Sequence, residues 1–167
     1  LPTMEPLRKP DIPQGKESGT PANEPEALRD KIRVLYVEDA SFQARLVKHK
    51  LSEAGYSVDI ARDGAEGLQK IREGSFDLLA IDHAMPVYQG IEIIRILSSE
   101  GKMPPTIMVT GSGNESVAVE ALKLGASDYI IKDLEGHYIQ LLPAVIEKAL
   151  LRHKLIQEKQ TMSVRLL

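Results

Sequence analysis

The sequence predicts an α/β domain built on a five-stranded parallel sheet with helices on both faces. Three observations carry this. Between residues 31 and 150, short Val-, Ile- and Leu-rich runs alternate five times with amphipathic stretches of helical period. Such alternation makes βαβ units, with parallel strands and right-handed crossovers. The most apolar run, "FDLLAI" (76–81), lacks the polar alternation of a half-solvated strand, as expected of one covered on both sides. Finally, four of the runs stop on a polar or charged residue, and in open sheets sites form beyond the carboxyl ends of the strands.

Taken in order, residues 1–30 hold six of the ten prolines (Pro2, Pro6, Pro10, Pro13, Pro21, Pro25) among Gly, Ser, Glu and Lys, and predict a disordered leader or linker. "IRVLYV" (32–37) is the first strand. "SFQARLVKHKLSEAG" is a helix with Leu46, Val47, Lys50 and Leu51 on one face and Gly55 as its stop. "SVDIA" (57–61) is half polar and suits a place near an edge; "GAEGLQKIREG" is the next helix, and "FDLLAI" the third strand. "GIEIIRILSSEG", "PTIMVT" (105–110), "ESVAVEALKLGA" and "DYIIK" (128–132) continue as helix, strand, helix, strand. A long terminal helix follows in "YIQLLPAVIEKALLRHKLIQEKQ", with Pro143 suited to a first helical turn. Leu142, Ile146, Ala149 and Ile156 form one stripe on it and Leu151, Leu155 and Met162 a second. The domain is therefore expected at 31–150, with 151–167 as an extension of the last helix.

Composition narrows the chemistry. The 167 residues are 43% hydrophobic and 27% charged, ordinary for a globular domain, with a net charge of −3 that does not suit a coat for nucleic acid or an anionic membrane. Cysteine is absent, which excludes disulfides, thiolate metal sites and a cysteine nucleophile. No apolar run reaches the ~18 residues of a membrane span, so the sequence predicts a soluble, cytoplasmic protein.

The strand ends are the informative positions. Strand one ends in Glu38-Asp39, strand three in Asp82, strand four in Thr110 and strand five in Lys132. Three carboxylates converging at one edge repel one another, and a hard divalent cation with oxygen ligands, Mg²⁺ above all, relieves that repulsion. Each residue alone has an ordinary reading: Asp39 as a helix N-cap, Lys132 as solvated surface, Thr110 as a cap. Their placement on different strands of one alternating pattern points instead to a metal and phosphate site. The histidines fit it poorly. His49 lies in the basic run "VKHK", His83 alternates to the other face from Asp82, and His153 lacks the neighbours of a kinase phosphoacceptor box.

Together, "VLYVEDA", "LLAIDHAMPVYQG" with its D-x-x-M-P-x-x-x-G spacing, "IMVTGSG" and "ASDYIIK" resemble the receiver domain of two-component response regulators. The resemblance covers residues 31–150. It implies a flavodoxin-like (βα)5 fold of strand order 2-1-3-4-5. It implies that Asp82 takes a phosphoryl group from a phosphohistidine of a histidine kinase or phosphotransfer protein, and that Glu38, Asp39, Asp82 and the backbone carbonyl of Ala84 hold Mg²⁺. Lys132 would pair with the phosphoryl oxygens, Thr110 would hydrogen-bond them, and Tyr129 would be the aromatic switch. The output would be a repacked face of the fourth helix, fifth strand and last helix. Such a domain catalyses its own phosphorylation and dephosphorylation but is mainly a signalling switch.

Three departures from the family pattern bear on function. Asp133 follows Lys132 where the family usually has a proline across a cis peptide, so a trans bond is expected, with a carboxylate near the metal cluster that weakens phosphate retention. Ala84 and Ser112, two residues beyond Asp82 and Thr110, are small and predict moderately fast self-dephosphorylation. The surplus of the last helix resembles the connector by which receivers of multidomain sensor kinases join a sensory or output domain; a homodimer is the alternative use. Two other readings stand beside this one. A degenerate receiver would act only as a protein-binding module. An aspartyl-phosphate phosphatase would carry a D-x-D pair, against which stands Ala84 two residues after Asp82.

Overall fold

The computed structural model of the chain describes residues 31–165, with Thr3 alone before them. The expected leader thus lies outside the described residues. Strands β1 (Arg33–Val37), β2 (Ser57–Ala61), β3 (Leu78–Asp82), β4 (Thr106–Gly111) and β5 (Asp128–Lys132) alternate with helices α1 (Ser41–Glu53), α2 (Gly64–Glu73), α3 (Gly90–Glu100), α4 (Glu115–Lys123) and α5 (His137–Arg165). All strand pairs are parallel and the sheet order is 2-1-3-4-5, the predicted flavodoxin-like (βα)5 arrangement.

Strand alternation splits the core into two layers. Val34, Tyr36, Leu78, Ala80, Ile107, Val109 and Ile130 face α1 and α5, where Val47, Leu51, Leu142, Ile146 and Ala149 close over them. Leu35, Val37, Leu79, Ile81 and Met108 face the other way, onto Ile71 of α2, Ile93, Ile94 and Leu97 of α3, and Ala121 of α4. Each fully buried Leu or Ile contributes about 1.5–3 kcal/mol. Both layers grip β3, whose five residues are all buried, and this central strand ends on Asp82. β2 and β5 form the edges and are only partly covered.

Two helices differ from expectation. In α1 the buried residues are Ala44, Val47 and Leu51, while Leu46 turns out to solvent beside Phe42. In α5 the helix begins at His137, so Pro143 sits inside it rather than in its first turn. Proline has no N–H to return to the carbonyl of Ile139 one turn back, but the packing of Tyr138, Leu142 and Ile146 against the sheet holds the segment helical on both sides of it. Beyond Ala149, every residue from 151 to 165 is exposed, including Ile156, Leu151, Leu155 and Met162.

The β3–α3 loop shows why its motif is spaced as it is. The Gly90 N–H donates to the His83 carbonyl (3.0 Å), and a Cβ at position 90 would lie 2.9 Å from the His83 Cα and 3.0 Å from the Asp82 carbonyl carbon. Only glycine lets α3 start this close to the strand end. Val87, by contrast, is a β-branched residue at φ +68° with its side chain 88% exposed. The left-handed region costs such a residue about 1–2 kcal/mol. Val87→Asn is therefore expected to raise stability by about 1 kcal/mol in urea unfolding, and an unchanged or lower midpoint would contradict this account of the loop.

Candidate functional site

The carboxyl end of the sheet gathers the predicted charges. Glu38 directly follows β1 and is anchored by its backbone N–H to the Ala61 carbonyl (2.9 Å). Asp82 closes β3, and Lys132 closes β5 opposite Gly111. Glu38 and Asp82 are 1% and 3% exposed, whereas Asp39 is open to solvent. One oxygen from each of these three carboxylates lies within 4.8 Å of the others. The Lys132 ammonium bridges two of them, donating to Asp82 Oδ2 at 3.0 Å and Glu38 Oε2 at 3.1 Å.

This charge balance is strained in one direction. Burial and the neighbouring Asp82 push the Glu38 carboxyl up to about 7, against the downward pull of Lys132. Burial also works against the Lys132 charge, but Asp82 and Glu38 outweigh it and hold the ammonium above its ordinary value. Three carboxylates against one ammonium leave a double negative charge when all are ionised. An all-oxygen donor set with that deficit fits a hard divalent cation. Asp39 is free for such a role, because α1 is preceded by Ala40 with no side-chain cap, and the Ala40 N–H is taken by Glu38 Oε1 (3.2 Å).

The remaining predicted residues fall around this cluster. Thr110 lies one residue beyond Val109, the β4 partner of Asp82. Its hydroxyl is fully buried and has no hydrogen-bond partner among the described residues, as a group awaiting an acceptor would be. Ala84 and Ser112 are both exposed at the rim, with the Ala84 N–H on Asp82 Oδ1 (3.2 Å). Tyr129 shares a sheet face with Thr110 but is 39% exposed, turned outward. His83 is buried away from the cluster, and its Nδ1 makes no hydrogen bond. His49 pairs with Glu53 on the exposed side of α1, and His153 is exposed on α5.

Asp133 corrects the expectation that it crowds the metal cluster. Among the described residues no peptide is cis, and the Asp133 carboxylate turns to the start of α5. There it accepts the backbone N–H of Tyr138 (2.9 Å) and of His137 (3.1 Å). These donors, the Tyr138 N–H first, hold its carboxyl below the usual value. It caps the helix. Two further residues went unmarked in the sequence: Tyr36, whose hydroxyl donates to Glu38 Oε2 (3.4 Å), and Tyr138, whose ring lies under the Lys132 ammonium at 5.9 Å. For Tyr36 a signal existed, since period two places it on the same strand face as Glu38.

Comparison with known proteins accords with this geometry. Residues 34–142 match the family model described as the response regulator receiver domain. The chain belongs to that family. The receiver is 36% identical over 105 residues to "Transcriptional regulatory protein DltR" of Streptococcus agalactiae, covering 63% of this chain and 47% of the relative. It is 36% identical over 104 residues to "Two-component response regulator PhoP" of Pseudomonas aeruginosa, covering 62% and 46%. The chain thus spans about half the length of these curated relatives. Among solved structures, a receiver domain from Clostridium thermocellum superposes with a TM-score of 0.68 at 30% identity, over 75% of this chain and 98% of that one. A CheY-like receiver from Methanospirillum hungatei gives 0.65 at 31% identity, over 74% and 98%. Accepting a phosphoryl group is general to the family, as is binding Mg²⁺ at an acidic pocket.

Two outcomes follow for the cation-free receiver. A carboxyl raised on folding, like Glu38, stabilises the fold fully below its unfolded value of about 4.5, and this contribution is lost as pH rises through about 7. With divalent cations chelated, the wild type is expected to lose stability between pH 5 and pH 8, and Glu38→Gln to flatten that loss; parallel pH profiles would refute the assignment. Asp133→Ala is expected to lower the melting temperature by a few degrees, with Asp133→Asn retaining most of the capping; equal melting of all three proteins would show the cap to be idle.

Proposed function

We propose that this receiver accepts a phosphoryl group on Asp82 from the phosphohistidine of a histidine kinase or phosphotransfer protein, and passes the change to the face formed by α4, β5 and α5. The observation that carries the proposal is the Lys132 ammonium bridging Asp82 and Glu38, with a buried, unpartnered Thr110 hydroxyl at the end of the adjacent strand. Glu38, Asp39, Asp82 and the Ala84 carbonyl would hold Mg²⁺, which when bound supplies positive charge to the equatorial phosphoryl oxygens.

The chain's own residues do the rest. An Asp82 carboxylate oxygen attacks phosphorus in line with the donor nitrogen; the P–O bond forms, the P–N bond breaks, and its electron pair returns to the imidazole. Lys132 moves its charge from the carboxylates onto the new phosphoryl oxygens. Thr110 donates its unused hydroxyl to one of them, and the space this opens receives the Tyr129 ring from solvent. Each charge-assisted hydrogen bond contributes about 1.5–3 kcal/mol, enough to shift a two-state population. Beside Lys132 a cleft of about 350 Å³, lined in part by Phe42, Leu46, Leu134 and Ile139, offers apolar surface to a docking phosphodonor. Ala84 and Ser112 leave the rim open to water, which favours self-dephosphorylation.

The exposed end of α5 is read as a connector to a further sensory or output domain, as in a multidomain or hybrid kinase, or as a contact between two copies. No described helix is long and apolar enough to cross a membrane, and a cytoplasmic site of action agrees with the proposed kinase chemistry. Incubation with acetyl phosphate and Mg²⁺ is expected to add one phosphoryl mass to the wild type and none to Asp82→Asn. Equal gains in both would overturn the assignment of Asp82. Removal of the donor should then return the wild type to its original mass, and a half-life of many hours would refute the open rim.

A further inference from the structure

The acid site has a floor that the phosphoacceptor chemistry does not itself require. Glu38, Asp82 and Lys132 continue the alternation that brings Tyr36, Ala80 and Ile130 to the α1–α5 side of the sheet. The residue beneath Glu38 on that side is Tyr36, and the first turn of α5 adds Tyr138 to the same buried layer. Both phenols are essentially inaccessible, at 0% and 2% exposure. A buried hydroxyl is costly unless it is used. At position 36 leucine or phenylalanine would fill the same core space without that cost, whereas at position 138 it is the ring that meets the site.

Each ring touches one arm of the site. The Tyr36 hydroxyl donates to Glu38 Oε2 at 3.4 Å, the oxygen that also takes the Lys132 ammonium, while Glu38 Oε1 is fixed by the Ala40 N–H. The Tyr138 ring carries the Lys132 ammonium at 5.9 Å from its centre, within the range of a cation–π contact, and its own hydroxyl has no partner. We propose that Tyr36 and Tyr138 are positioning residues of the receiver site: Tyr36 orients Glu38 for the cation, and Tyr138 aims Lys132 at the group arriving on Asp82. This deepens the phosphoacceptor reading and rests on it for the Lys132 half.

The two roles separate in measurement. Tyr36→Phe removes one oxygen and is expected to weaken Mg²⁺ affinity, read calorimetrically without any phosphodonor, about two- to tenfold, while the phosphorylation rate at saturating Mg²⁺ stays near wild type. Tyr138→Leu is expected to leave Mg²⁺ affinity unchanged and to slow phosphorylation by acetyl phosphate severalfold. Tyr138→Phe, which keeps the ring, is expected to restore the rate. Tyrosines that merely fill the core would lower the melting temperature without this split, and that result overturns the proposal. So does a Tyr138→Leu rate equal to wild type, or Tyr138→Phe as slow as Tyr138→Leu. Should the wild type gain no mass at all, the phosphoacceptor reading fails, while the Mg²⁺ titration still judges Tyr36.

Discussion

One ammonium group organises the end of this sheet. Lys132 stands between Asp82 and Glu38, and without it two buried carboxylates would face each other across the ends of β1 and β3. Leaving a buried charge unpaired costs several kcal/mol, so the strand register that delivers Lys132 to this point is under energetic constraint. β5 must pair with β4 so that Gly111 meets Lys132, and β4 with β3 so that Val109 meets Asp82. A slip of one residue would turn every side chain of a strand to the other face and break both ion pairs. The two-layer core and the charged edge therefore specify the same alignment.

The bridge is also incomplete. It neutralises one of three carboxylates and leaves Glu38 disposed to hold a proton, while the Thr110 hydroxyl at the end of the neighbouring strand is buried without a partner among the described residues. A site optimised for stability alone would not look like this, because an apolar cluster of similar volume is often as stable as a buried ion pair or more so. The unmet demands of the edge are complementary to a divalent cation and a phosphoryl group. In the free domain the cost of holding such groups ready is offset by the packing around β3, the most covered strand of the sheet.

Much of this was legible in the sequence, for identifiable reasons. β3 showed itself because a strand covered on both faces cannot alternate, and Asp82 showed itself because it interrupts that run. Glu38, Asp39, Thr110 and Lys132 were legible through their position after strands, which period and turn residues locate well. Asp133 was not, because capping depends on where α5 begins, and Pro143 suggested a later start than His137. Seen only as a replaced proline, Asp133 looked like a perturbation of the metal site, when its oxygens are engaged by two backbone N–H groups. Leu46 lies off the buried face of α1, because helical period marks a stripe but not its width. Tyr138 carried no signal at all, since only the packing of α5 against β5 brings it to Lys132.

The capped start of α5 makes the helix a lever arm. Asp133, the residue after Lys132, ties the first turn of α5 to the end of β5 through two backbone N–H groups. The rod is 29 residues long and bears on the sheet only through its first half. At 1.5 Å per residue it spans about 44 Å, of which the ~23 Å from Leu151 onward is exposed. On the proposed connector reading, this exposed arm is where a neighbouring module would meet a change made at the phosphoacceptor edge.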